Sequence, residues 1–179
     1  DEIMYLRPET AQSCYLAFKR EFSALREKLP MGLAVIGKAF RNEISPRQGF
    51  LRLREFTQAE LQIFFNPDEE FAGEGYDGKY KLIIYNNNLS EIICNDLSKN
   101  LPKIFVYHLA VLQKFYLELL KIPKNKFRFR QISEKEKAFY NKIHFDIELD
   151  VESFNGWTEV GGLHYRTDYD LKGHQKGSG

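Results

Sequence analysis

Two stretches in the first third of the chain carry charged and aromatic side chains at alternate positions. Phe50 to Phe65 reads as a long β-strand whose period of two puts Arg52, Arg54, Phe56, Gln58, Glu60 and Gln62 on one face. Leu51, Leu53, Thr57, Ala59, Leu61 and Ile63 fall on the other. A preceding strand, Leu33 to Glu43, ends Phe40-Arg-Asn-Glu43, so Arg41 and Glu43 share a face. Guanidinium groups, carboxylates and one aromatic ring projected from rigid strands suit a nucleotide and an ammonium group together. Arginine bonds phosphate oxygens bidentately, a ring stacks on a base, and a carboxylate accepts from an amine. The same residues also read as a solvated sheet face laced with Arg–Glu pairs, and residue types and spacing alone leave both readings standing.

The elements that must position these groups follow from periodicity. From Thr10 to Lys28, Ala11, Tyr15, Phe18, Phe22 and Leu25 recur at helical spacing, and the helix is expected to end before Leu29-Pro30. Ile44 to Gly49 carries both Pro and Gly and reads as the loop of an antiparallel hairpin. Residues 66–126 change character, with Gly73, Gly75 and Gly78 breaking the pattern. An amphipathic helix is expected from Lys103 to Lys121, with Phe105, Leu109, Leu112, Tyr116 and Leu119 on one face. This middle is read as an insertion beside the main sheet. Strands return at Phe127-Arg-Phe-Arg130, at His144 to Val151, where Asp146, Glu148 and Asp150 oppose Phe145, Ile147, Leu149 and Val151, and at Trp157 to Leu163. Strands without regular intervening helices, and no internal repeat, predict an α+β antiparallel sheet rather than a doubly wound one.

Composition narrows the classes. With 43% hydrophobic and 15% aromatic residues the chain buries a core and is no disordered tail. A net charge of +1 requires any nucleic-acid contact to come from a local basic patch. Cys14 and Cys94 are far apart, and His108, His144, His164 and His174 lack metal-ligand spacing, so packed thiols and no zinc are expected. No apolar run reaches the ~20 residues that span a bilayer. The start, Asp1-Glu-Ile-Met-Tyr, lacks the pattern of a signal peptide. The expectation is a protein without a membrane segment, in the cytoplasm or in an organelle after loss of a transit peptide. The missing initiator Met and the linker-like end Lys176-Gly-Ser-Gly179 lead us to expect an excised piece.

Five ordered blocks decide between the two readings of the charged face. Leu6-Arg-Pro-Glu-Thr-Ala-Gln12, Phe40-Arg-Asn-Glu-Ile-Ser-Pro-Arg47 and Arg54-Glu-Phe-Thr-Gln-Ala-Glu60 come first. Phe127-Arg-Phe-Arg-Gln131 and Gly156-Trp-Thr-Glu159 with Arg166-Thr-Asp-Tyr-Asp-Leu171 follow. In this order they resemble the glycyl-tRNA synthetases, and the second and third look like that family's version of class II motif two. The resemblance runs to Phe65 and resumes at Phe127, the middle matching only as an insertion.

The resemblance implies a mostly antiparallel class II sheet flanked by helices, and an enzyme that activates glycine with ATP and Mg²⁺ and loads it onto tRNA(Gly). Motif one, motif three and the anticodon-binding domain find no match, so residues 1–179 are read as a partial catalytic domain. The parent is expected to be a homodimer. Arg41 matches the arginine on the ATP α-phosphate, Glu43 the reader of the adenine amino group and Phe56 the ring under the base. Arg52 or Arg54 would lie near the phosphates and Arg47 near the tRNA acceptor end. Glu60 matches the carboxylate on the glycine ammonium, and Arg166 an arginine near the substrate carboxylate. Glu9 is a second acid for glycine or a cap on the following helix. Glu159 acts directly, through a nearby Mg²⁺, or merely pairs strands. Gly162-Leu-His-Tyr-Arg166 is bulkier than the family's usual residues before that arginine. The alternative is a non-catalytic synthetase-like protein, a tRNA binder or polymerase accessory subunit.

Overall fold

The computed structural model describes residues 3–44, 49, 52–71 and 73–178, so Arg47 lies outside the described residues. The chain divides into two compact units, Asp1–Asp68 with Asp170–Gly179, and Glu69–Tyr169.

In the first unit, helix α1 (Ala11–Ala24) packs on an antiparallel hairpin of β1 (Met31–Phe40) and β2 (Glu55–Phe64), with Met31 opposite Phe64 and Phe40 opposite Glu55. The helix is shorter than its apolar periodicity suggests. Arg26 and Glu27 take positive φ, and Glu27 N–H bonds back to the Phe22 carbonyl. The residue before a proline is biased out of the helical region, so the chain must turn ahead of Leu29-Pro30. Cys14, Tyr15, Met31 and Phe64 form the buried centre, with Phe18, Phe22, Leu33 and Val35 around it. Along β2 the inward residues run from buried Phe64 through Gln62, Glu60 and Gln58 to Phe56. The helix therefore covers the face that carries the chemistry. The apolar face lies open, with Ile36 76% and Leu61 60% exposed.

The second unit is a five-stranded sheet built from β3 (Lys81–Asn86), β4 (Asn88–Ile93), β5 (Phe127–Gln131), β6 (Ile143–Val151) and β7 (Gly156–Tyr165), in the order β4-β3-β5-β6-β7. Every neighbouring pair is antiparallel except β3 with β5. Parallel strands need a long crossover, supplied here by α2 (Cys94–Leu97) and α3 (Lys103–Lys114). Residues 66–126 thus contribute two strands and a packed helix to the same sheet as β5–β7. Phe127, Phe129 and Phe145, with Leu82, Ile84 and Leu109, are almost completely enclosed. Burying each such side chain contributes ~1.5–3 kcal/mol.

The expected helix to Lys121 is α-helical only to Lys114 and continues as a π-helical turn, Phe115–Leu119. The wider turn shifts the phase of the apolar stripe. Phe105 and Leu109 are buried and Leu112 and Tyr116 pack against the core, but Leu119 points out.

Candidate active site

Thr10, wholly buried at the start of α1, ties the helix to β2. Its backbone N–H donates to Gln58 Oε1 at 3.2 Å and its hydroxyl to Glu60 Oε1 at 3.1 Å. Gln62 Nε2 donates to Glu60 Oε2 at 3.2 Å, and the Tyr15 hydroxyl donates to Gln62 Oε1 at 3.2 Å. Both carboxylate oxygens of Glu60 are therefore oriented by neutral donors, leaving its negative charge uncompensated by any of these contacts. Glu9 accepts from the Ala11 backbone N–H, the capping role open to it from sequence, and its charge sits at the positive end of the helix dipole. Burial, then Glu60, then Glu9 push the Cys14 thiol up, which places both carboxylates within electrostatic reach of one helical turn.

Arg41 lies just past β1, where its N–H continues the hairpin by bonding the Arg54 carbonyl at 3.0 Å. Its Nε donates to the Pro8 carbonyl at 3.2 Å, and its guanidinium carbon stands 5.1 Å from the centre of the Phe56 ring. The Arg-Pro-Glu segment is held beside it, for Phe40 N–H donates to the Arg7 carbonyl at 2.9 Å and Arg7 Nε to the Lys38 carbonyl at 2.7 Å. Arg41, Phe56 and Glu60 thus share one side of the hairpin.

The strand expected from Phe50 begins only at Glu55, so Arg52 and Arg54 are not strand residues. They precede β2 and bracket Glu43. Arg54 Nε donates to the Glu43 carbonyl at 3.0 Å, and Arg52 approaches the Glu43 carboxylate at 3.7 Å. The β1–β2 pairing ends at Phe40–Glu55, and beyond the Arg41–Arg54 backbone bond the side chains of Arg52 and Arg54 take over the bonding.

In the second unit, β5, β6 and β7 present a polar face. A register shift at Ile147/Glu148 sets Glu148 opposite Glu159 and leaves Asp146 opposite Gly162. Arg128 Nε meets Glu148 Oε2 at 2.6 Å, and Arg130 reaches Asp146 at 3.5 Å and Glu136 at 2.9 Å. Glu159 is pushed up from the ordinary carboxylate range, first by burial and next by Asp146. Arg166 follows β7 with its guanidinium 4.3 Å from the centre of the Tyr140 ring. Among the described residues no group of three or more His, Cys, Asp or Glu side chains is arranged to hold a metal ion.

Residues 1–171 match the family model of the tRNA synthetase class II core domain (G, H, P, S and T). This chain belongs to the class II tRNA synthetase core family. Over its full length it is 45% identical to the glycine–tRNA ligase of Pyrococcus abyssi and 46% identical to that of Pyrococcus horikoshii, covering 33% of each. A glycine–tRNA ligase of Archaeoglobus fulgidus is 42% identical over 98% of the chain and 31% of its own length. The chain therefore spans about a third of the curated relatives it matches.

Within this class II core, the hairpin brings together Arg41, Phe56, Glu60 and Glu9, with Glu43 held at the loop by Arg52 and Arg54. Glu159 and Arg166 belong to the other unit. The sequence placed Gln58 and Gln62 on the charged face and Thr10 and Tyr15 in the helix, but not their role in orienting Glu60. A threonine opening an amphipathic helix, and amides alternating with Glu60, were the available signals, but both read equally as a cap and a wet strand face.

Proposed function

We propose that the chain is part of the catalytic domain of a glycine–tRNA ligase, which activates glycine with ATP to glycyl-adenylate and passes it to tRNA(Gly). The observation that carries this reading is the placement of Arg41 against Phe56 on the same side of the hairpin as the oriented carboxylate of Glu60. The ring suits the adenine base, and the guanidinium beside it suits the α-phosphate, where charge is redistributed as the glycine carboxylate displaces pyrophosphate. A donor already fixed by its bond to the Pro8 carbonyl reorganises little during that step. Glu60 binds the glycine ammonium, with Glu9 beside the helix start as the supporting acid. Glu43 reads the adenine amino group, Arg52 and Arg54 neutralise phosphates, and Arg47 approaches the acceptor end. Glu159 and Arg166, in the other unit, are the further candidates for glycine, whose lack of a side chain leaves only its two charged groups to grip. Mg²⁺ bound with ATP would offset phosphate charge. Similarity to glycine–tRNA ligases supports the choice of amino acid.

The test is glycine-dependent ATP–pyrophosphate exchange in a full-length protein carrying this segment. Arg41→Ala is expected to slow exchange by about 10²-fold or more, the usual worth of one preorganised electrostatic donor. Exchange at the unsubstituted rate refutes the assignment.

A further inference from the structure

The pairing of β6 with β7 sets His144 opposite His164, with ring centres 4.1 Å apart and planes tilted by 38°. Two imidazolium charges at that separation repel, so a second proton on the pair binds less readily than the first. The surroundings are unequal. Asp146, next on the same face of β6, places Oδ1 2.8 Å from His144 Nε2, yet neither buried ring nitrogen of His144 completes a well-aligned hydrogen bond. His164 stands exposed on β7. Its Nδ1 meets the Asn141 amide nitrogen at 3.1 Å, and Nε2 leans over Gly162, where a Cβ would lie 2.9 Å away. Partial desolvation, then His144 and Arg166, hold His164 down to about 4.

We propose that His144, His164 and Asp146 form a one-proton clamp across β6 and β7 that positions Arg166, and that a second proton releases this end of β7. Just beyond the histidine pair lie Ile143 opposite Tyr165 and the Lys142 N–H to Tyr165 carbonyl bond at 2.7 Å, with Tyr165 against Phe105 and Arg166 over the Tyr140 ring. Arg166 follows directly, two residues from His164. With one proton on the pair, the adjacent Asp146 carboxylate balances the charge and the rings stay in contact. With two, one carboxylate faces two cations, and the nearest relief is separation of the strand ends. The other charged groups on this face are Arg128 and Arg130 from β5, Glu148 from β6, Glu159 from β7, and Glu136, which is held by Arg130. The arginines are already paired with carboxylates, and Glu159, held high first by burial, feels Asp146 most, then His144 and Glu148. The clamp stands on this geometry alone, and its consequence for glycine rests on the reading of Arg166 given above.

The test begins with this chain. An NMR titration of the histidine ring protons from pH 7.5 to 4 is expected to show His144 and His164 responding together in two linked steps more than about one pH unit apart. Exchange protection of the Lys142 amide should fall about tenfold across the lower step. His164→Ala should reduce His144 to a single step and remove the pH dependence of Lys142 protection. The unsubstituted titration decides the matter even if that variant fails to fold. Two independent titrations, or Lys142 protection that is flat through the lower step, overturn the clamp. In a full-length protein the KM for glycine should rise across the lower step in the unsubstituted enzyme but not in His164→Ala. A clamp that titrates as described without moving this KM overturns the link between Arg166 and glycine instead.

Discussion

Replacing Arg128 by methionine removes a cation held on three sides at once. Its guanidinium carbon lies 4.1 Å from the ring centres of both Tyr85 and Trp157, and its Nε is 2.6 Å from Glu148 Oε2. The two charged side chains are only 15% and 11% exposed. Without Arg128, Glu148 faces Glu159 across the strand pair, with Asp146 on the same face of β6 and Arg130 as the remaining β5 cation. Breaking one side of such a buried pair costs about 3–5 kcal/mol, because the remaining charge stays desolvated. Methionine between the two rings recovers part of the lost packing, so about 3 kcal/mol is expected. The unit Glu69–Tyr169 has the size of a small domain. At roughly 4–8 °C per kcal/mol the loss lowers its midpoint by roughly 12–24 °C. Calorimetry at neutral pH reads this directly. Arg128→Met with Glu148→Leu removes both charges, and most of the loss should return. A single variant melting within about 3 °C of the unsubstituted chain, or a double variant no better than the single, refutes the argument.

Acid should destabilise the second unit. His164 and His108 are held below their ordinary range by burial, so between about pH 6.5 and 4 the unfolded chain binds more protons and stability falls with pH; Glu159, held high, opposes this in part. Thermal midpoints from pH 7 to 4 measure it, and His164→Ala should flatten the profile. At Gly37 a Cβ would overlap the Arg7 guanidinium, so Gly37→Ala should displace Arg7 from the Lys38 carbonyl at about 1 kcal/mol, seen as a lower denaturant midpoint and faster exchange of the Phe40 amide. Tested alone, this chain should not charge tRNA at a useful rate, since it spans a third of its relatives; full-rate charging in an aminoacylation assay contradicts that.

Period and punctuation along the chain determined much of this protein. Alternation marks β5 and β6, with Phe127, Phe129, Phe145 and Ile147 on the buried face, and α1 follows from Ala11, Tyr15, Phe18 and Phe22. The hairpin and the alternation of Phe56, Gln58, Glu60 and Gln62 were legible too, because a strand's side-chain period is local geometry. What occupies a face is not local. Only the fold decides that α1 covers the polar face of β2 and leaves Ile36 and Leu61 outside, and that Thr10 meets Glu60. The early end of β2 also escapes the pattern, since Arg52 and Arg54 keep the alternation but spend their donors on Glu43. Tyr85, Arg128, Glu148 and Trp157 come from four strands, and the register shift at Ile147/Glu148 sets which carboxylates oppose each other. His144 and His164 were two of four histidines without metal-ligand spacing until strand pairing put them face to face. Residue types are written in the chain, but charge coupling depends on separation in space, and strand pairing sets that separation between residues distant in sequence.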